Sequence, residues 1–223
     1  MSDPPVPHLS RDFDAEMRTV REQFAAMASR CRDQLHLALE GFWTEQNENR
    51  AVVEASDAVV DSEEKAIDAL TLQVLALRSP AGSDLRTLTA TFKLVTDVER
   101  IGDEAVDIAR EGAAQTGADT DPVRARLKNM AERTENLFNA AVSSFLGRDA
   151  SAAEQASGVN RAIDAIYDEV VGHAIGFMAR NPRDVASALA FVNVATCLRR
   201  IADHAQNIAE GTLFVVRGDV MPR

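Results

Sequence analysis

Aromatic residues make up only 5% of this 223-residue chain, and glycine (eleven) and proline (seven) are sparse. The Val, Ile, Tyr and Thr alternation from which sheets are built is scarce, while the helix formers Ala, Leu, Glu and Arg fill the remainder. Strand is therefore expected almost nowhere. The two cysteines, Cys31 and Cys197, stand singly inside helical patterns with no CxxC spacing. That argues against a disulfide framework or a zinc ribbon and suits buried thiols in a reducing compartment. Basic charge is also short: Lys and Arg number 24 against 35 Asp and Glu, a net charge of −11. Nucleic acid and anionic membrane surfaces need a concentrated basic field, so neither is the expected partner, whereas cations and basic proteins are. No run of about 18 uncharged apolar residues and no basic-plus-apolar leader occurs, so the expected setting is cytoplasmic and soluble.

What the chain does have is helical periodicity. Phe13, Met17, Val20, Phe24, Met27, Cys31, Leu35 and Leu39 step by four and three after a possible cap at Ser10. This predicts a first helix reaching Phe42-Trp43, packed along others in a bundle. A second helix is expected from about Ala51 to Arg78 and a third from a cap at Ser83 or Asp84 to about Glu111. Gly112, Thr116, Gly117 and Asp121-Pro122 follow as a loop. The later segments predict a fourth helix ending at Gly147, a fifth from Ala150 to Arg180, broken by Asn181-Pro182, and a sixth from Asp184 to Phe214.

The chain repeats itself. Asp84, Ala90, Thr96, Arg100, Ile101, Asp103, Ala105, Ile108 and Ala109 recur as Asp184, Ala190, Thr196, Arg200, Ile201, Asp203, Ala205, Ile208 and Ala209, always 100 residues on. Arg78-Ser-Pro80 returns as Arg180-Asn-Pro182. The expected architecture is all-α, six helices in two tandem three-helix bundles, residues 1–116 and 117–223.

Carboxylates sit oddly on this frame. At 100° per residue, Glu99 and Asp103 extend a stripe that is apolar at Leu85, Leu88, Phe92 and Val95, whereas Lys93, Asp97, Arg100 and Glu104 form the ordinary solvated face, with Asp107 at its edge. On the second helix, Asp57, Asp61, Glu64 and Asp68 stack on one stripe that continues as Leu72 and Leu75. Like charges at such spacing repel, so the stripe is either solvated or holds a cation. In an antiparallel pair, Asp57-x3-Asp61 and Glu99-x3-Asp103 would face one another as an oxygen-rich cage. The second half departs from this: Arg199 stands where Glu99 stands, and only Asp203 and Asn207 follow, with Asn160, Asp164 and Asp168 on the fifth helix. Either the second site is lost, with Arg199 and Asp203 ion-paired, or it survives on Asp203, Asn207, Asp164 and Asp168; loss is the favoured reading.

No catalytic constellation accompanies the acids. His8, His36, His173 and His204 are scattered, and glycine-rich phosphate loops, nucleophile elbows and paired metal histidines are absent from the sequence. No E-x2-H step marks a di-iron enzyme. The expectation is a non-enzyme, the alternatives being a metal-dependent carboxylate bundle, enzyme or store, and an accessory protein of some other transporter.

The doubled motif, Asp97-Val-Glu-Arg-Ile-Gly-Asp-Glu-Ala-Val-Asp-Ile-Ala and Leu198-Arg-Arg-Ile-Ala-Asp-His-Ala-Gln-Asn-Ile-Ala-Glu, resembles the E(D)-x3-D repeats of the PhoU family. The opening from His8 to Arg18 and the acidic run Asp57 to Asp68 resemble that family too. The resemblance implies a cytoplasmic negative regulator of phosphate-starvation signalling, an adaptor between a phosphate ABC transporter ATPase and a sensor histidine kinase. It would be peripheral to the membrane through those partners, and homodimeric. It further implies metal at Asp57, Asp61, Glu99 and Asp103, with Asp107 adjacent, while in the second unit only Asp203 and Asn207 match the pattern. The expected ion is divalent or iron-type, Mg, Mn, Fe or Zn, and an all-oxygen set also suits Ca.

Overall fold

The computed structural model describes residues 11–44, 48–111, 121–182 and 185–221, and the described part is helical without strand. Helices α1 (Arg11–Thr44), α2 (Glu48–Arg78) and α3 (Gly82–Arg110) form the first bundle. Helices α4 (Asp121–Gly147), α5 (Ala150–Ser157), α6 (Asn160–Arg180) and α7 (Val185–Arg217) form the second. The expected boundary at 116/117 lies outside the described residues, as do the predicted cap Ser10 and the helix-six start at Asp184.

Three boundaries differ from expectation. The predicted fifth helix is interrupted: Asp149 caps α5 by accepting from Ser151 N and Ala152 N at 2.9 and 3.0 Å, and the chain resets at Gly158 before α6 begins. Glycine is the weakest helix residue after proline, so a mid-helix Gly marks the natural break. Helix α3 opens at Gly82 behind Ala81, which makes no side-chain cap bond; neither Ser83 nor Asp84 caps it. Asp121-Pro122 opens α4 rather than ending a loop, consistent with the tolerance of proline in a first helical turn.

The core is laid down by the predicted seams. Phe24, Met27, Cys31, Leu35 and Leu39 of α1, Val53, Val60 and Ile67 of α2, and Leu94, Val98, Ile101, Ala105 and Ile108 of α3 are buried. Their counterparts Val194, Leu198, Ile201, Ala205 and Ile208 of α7 are buried as well. One continuous apolar cluster runs through both bundles. Phe24 meets Phe145 with ring centroids 5.0 Å apart, and Phe42 meets Trp43 and Phe191 edge-on at 4.8 and 5.8 Å. Each fully buried Leu, Ile or Phe of this kind contributes about 1.5–3 kcal/mol.

The bundles join through α3 and α7, which run antiparallel: residues 86, 94, 97 and 104 of α3, and Glu111 that caps it, meet 215, 211, 204, 200 and 193 of α7 in turn. At the closest approach Gly211 admits Leu94, whose Cδ1 would lie 2.6 Å from a Cβ at that position. Helix α7 is apolar and long enough to cross a membrane by composition alone; here it is the central helix, packed by α3, α4, α5 and α6, and half of its most apolar stretch is buried.

Candidate functional site

Along the α3–α7 seam lies a polar cluster that helical periodicity assigned to solvent. Asp97 is 7% exposed, and its Oδ1 receives hydrogen bonds from both His204 Nδ1 and Asn207 Nδ2 at 2.9 Å. Arg200 Nη1 approaches Glu104 Oε1 at 3.2 Å, and Asn193 donates to Glu111 at 2.9 Å. A shift of 100 residues exchanges the two helices: Asp97 with His204 becomes Cys197 with Glu104, where burial and the neighbouring Glu104 carboxylate raise the pKa of the thiol. Asp97 and Glu104 are thus seam residues, not a solvated face, and His204 is tied to structure. Asn207, a second-bundle candidate ligand in the sequence, has its amide directed at Asp97. The signal that would have revealed this is the repeat itself, because two related halves in one chain pack through equivalent faces.

The outer side of α3 meets α2 and carries the predicted acids. Gly102 sits where a Cβ would stand 3.3 Å from Asp57 Oδ1 and 3.7 Å from Cys31 Sγ, so the glycine lets Asp57 enter the α2–α3 contact. Gln34 Nε2 donates to Asp57 Oδ1 at 3.0 Å and to the Gly102 carbonyl at 3.2 Å. Thr96 Oγ1 donates to Glu64 at 3.0 Å, fixing the two helices in register. Burial raises the pKa of Asp57, with Asp103 and Asp61 adding to the rise against the Gln34 bond. Burial likewise raises Glu99, with Asp103, Glu64 and Asp61 adding against Arg100, and it raises Asp68, helped by Glu64. The sequence therefore paired the two acidic stripes correctly: Asp57 faces Asp103, and Glu99 faces Asp61 and Glu64.

The donor set is that of a hard cation, carboxylate oxygens only. Glu99 Oε2 is buried without a hydrogen bond and meets only Arg100 Nε, at 3.5 Å. Arg100 Nη1 also holds Asp103 at 3.0 Å, while Asp107 pairs outward with Arg110 at 3.2 Å. Among the described residues no three His, Cys, Asp or Glu side chains converge as a ready coordination sphere. A metal would use Asp57, Asp61, Glu99 and Asp103, and would have to displace Arg100.

The second half resolves the same geometry internally. Its core residues on α6, Ile163, Val170 and Phe177, match Val60, Ile67 and Val74 of α2, which aligns Asp57 with Asn160 and Glu64 with Tyr167. Where Asp57 faces Asp103, Asn160 Nδ2 instead donates to Asp203 at 2.9 Å. Where Glu64 faces Glu99, Arg199 lies over the Tyr167 ring, 4.6 Å from its centroid. The expected Arg199–Asp203 ion pair is replaced by these two contacts. Asp164 and Asp168 are exposed.

The fold defines a class, tandem helical bundles, here with an acidic outer face on the first bundle. Comparison narrows this. The PhoU domain model matches twice, over residues 24–112 and 127–212. The chain is 31% identical over 213 residues to the phosphate-specific transport system accessory protein PhoU homolog of Pseudomonas putida, covering 95% of this chain and 83% of that protein. Against the Escherichia coli K12 accessory protein PhoU the identity is 27%, with 95% and 88% covered. The crystal structure of PhoU from Pseudomonas aeruginosa superposes with a TM-score of 0.86 at 28% identity, over 93% of this chain and all of that one. A Streptococcus pneumoniae PhoU structure shows the same fold, with a TM-score of 0.84 at 21% identity, over 95% of this chain and all of that one. The chain belongs to the PhoU family.

Proposed function

We propose that this protein regulates phosphate uptake and phosphate-starvation signalling as a non-enzymatic adaptor between a phosphate ABC transporter ATPase and a sensor histidine kinase, restraining the kinase when phosphate is plentiful. The observation that carries this reading is the doubled PhoU domain over most of the chain, with relatives named as accessory proteins of phosphate-specific transport. A catalytic role draws no support from the acidic face: acid–base work needs a pocket that holds substrate beside the carboxylates. A cleft in the described part lies elsewhere, between α1 and α4, lined by Arg32, Asp33, His36, Glu132, Glu135, Asn136 and Asn139.

In this reading the protein works in the cytoplasm as a homodimer and reaches the membrane through its partners. A divalent or iron-type ion, Mg, Mn, Fe or Zn, binds the first bundle at Asp57, Asp61, Glu99 and Asp103. It neutralises repelling carboxylates and stiffens the α2–α3 pair. The second bundle holds none, since Arg199 already supplies positive charge there.

Deletion of the gene should leave a phosphate-starvation reporter active in phosphate-rich medium, and the purified chain should capture the transporter ATPase or the kinase. A reporter that stays repressed in the deletion strain, with neither partner recovered, sinks the reading. Metal content of protein purified without chelator, compared with that of the Glu99→Gln/Asp103→Asn variant, tests the metal separately.

A further inference from the structure

We infer that the outward face of α2 and α3 in the first bundle docks a helical segment of a partner protein that carries lysine or arginine at one end and apolar side chains about two turns away. This deepens the adaptor reading above and rests on it.

The face has two zones in line. In the apolar zone, Leu72 is 52% exposed, Leu85 42% and Phe92 39%, and Leu75 is half-buried beside them. At 100° per residue, Leu85 and Phe92 share the sector of α3 that carries Thr96, Glu99 and Asp103, while Leu72 and Leu75 prolong the stripe of Asp57, Asp61, Glu64 and Asp68 on α2. The Thr96–Glu64 hydrogen bond places the two stripes side by side, and Asp57 beside Asp103 sets the acidic end of both. Glu64 and Leu72 are separated by about 12 Å along the helix at 1.5 Å per residue. The same spacing is two turns of an incoming helix.

In the acidic zone most of the charge lacks a cation: one arginine stands among six carboxylates, Asp57, Asp61, Glu64, Asp68, Glu99 and Asp103. Several carboxylates elsewhere in the protein have their own arginine: Glu16 has Arg78, Glu54 has Arg50 and Arg110, Glu63 has Arg30, Glu104 has Arg200, and Glu154 has Arg217. Asp61, Glu64 and Asp68 have no ion-pair partner among the described residues, and Arg100 alone serves Glu99 and Asp103. The second bundle shows that the fold itself does not require this, because Asn160 and Arg199 settle the equivalent positions from within. Carboxylates that repel one another and are partly dehydrated gain most from an arriving cation, and they gain it where water is already thin. A metal ion alone would leave Leu72, Leu85 and Phe92 bare. A basic amphipathic helix covers both zones, with apolar anchors supplying affinity and charge supplying register and encounter rate. An acidic face also repels nucleic acid and anionic lipid.

The test places a photo-crosslinking residue at Phe92, and at Leu189 of the second bundle as control, in the full-length chain in phosphate-rich cells. The crosslinked peptide is mapped, and the mapped segment is then made as a synthetic peptide and titrated against chelator-treated chain. The expected adduct at 92 is an amphipathic segment of another protein bearing several Lys or Arg residues. The peptide is expected to bind about tenfold more weakly to Glu64→Gln/Asp68→Asn and to Leu72→Ser, both folding with the parental circular dichroism. No adduct at 92, an adduct only to a second copy, an adduct equal to that at 189, a segment without basic residues, or binding that strictly requires added metal would each overturn the proposal. A deletion strain with the expected reporter phenotype but face variants without effect removes this face and leaves the adaptor reading standing. A deletion strain with no phenotype removes the adaptor reading itself.

Discussion

The two bundles share a frame and differ on their outer faces. On α3 and α7 the aligned pairs Val98 and Leu198, Ile101 and Ile201, Ala105 and Ala205, and Ile108 and Ile208 are all buried. Divergence is concentrated where side chains leave the core. In the first bundle, carboxylates confront carboxylates, Asp57 with Asp103 and Glu64 with Glu99. In the second, the same stations hold an amide with a carboxylate and a guanidinium with an aromatic ring. Packing constrains what is buried, since cavities and overpacking both cost stability, while a half-exposed station is free to change charge. One bundle has thus closed its outer face on itself, and the other holds an electrostatic debt that a cation from outside can settle.

The seam sharpens the comparison most strongly, because its two ends are related by the repeat but chemically unequal. Asp97→Ala leaves His204 and Asn207 without their shared acceptor in a buried contact and should cost about 3 kcal/mol in denaturant unfolding. The repeat-related change, Cys197→Ala, removes a small buried thiol that packs as an apolar group and should cost about 1 kcal/mol. Equal losses would show that Asp97 is not the tighter end. At Gly211 a Val side chain would overlap Leu94, which is fully buried and has little room to retreat, so Gly211→Val should cost roughly 2 kcal/mol. Glu111, its counterpart, is only half-buried, and Glu111→Ala should cost less than 1 kcal/mol by the same measurement.

Why the sequence revealed some of this and not the rest follows from what periodicity encodes. Residues such as Ile101 and Ile201 recur because a helix must keep one stripe against its own bundle, so the helices, the repeat and the opposed acid stripes were legible. Asp97 and Glu104 occupy a polar sector, and nothing in a single helix says whether a polar sector meets water or another bundle. The break at Gly158 leaves no mark in the periodicity because the apolar steps Ile163, Ile166 and Val170 continue the phase of the segment before it. The fate of Arg199 was half legible: its identity argued that the second site is lost, but its partner is the Tyr167 ring, two elements of the chain that spacing alone does not bring together.

Smaller effects come from converting one outer face toward the other. Asn160→Asp with Arg199→Glu sets a carboxylate opposite Asp203 as Asp57 stands opposite Asp103, removes the Asn160–Asp203 hydrogen bond and strips the cation from Tyr167. The expected loss is about 1 to 2 kcal/mol at neutral pH, falling as ionic strength rises. A salt-independent loss would mean that packing, not charge, distinguishes the faces.

The reverse conversion in the first bundle gives the smallest change and the clearest sign. Glu99 has its pKa raised by burial, with neighbouring carboxylates adding to the rise, so its acid form is favoured on folding. Its contribution is fully present below the unfolded value of about 4.3 and is lost as pH rises through the higher folded value. Glu99→Gln keeps the shape of the acid form and leaves Arg100 its second partner, Asp103. In metal-free protein the variant should therefore melt with the parent near about pH 4 and a few degrees above it near about pH 7. Glu154 supplies the opposite control, because Arg217 lowers its pKa and its contribution is lost as pH falls. Glu154→Gln should separate from the parent at neutral pH in the destabilising direction and rejoin it in acid. If Glu99→Gln instead melts below the parent at neutral pH, the Arg100 contact outweighs the repulsion, and the first bundle's face is as self-contained as the second's.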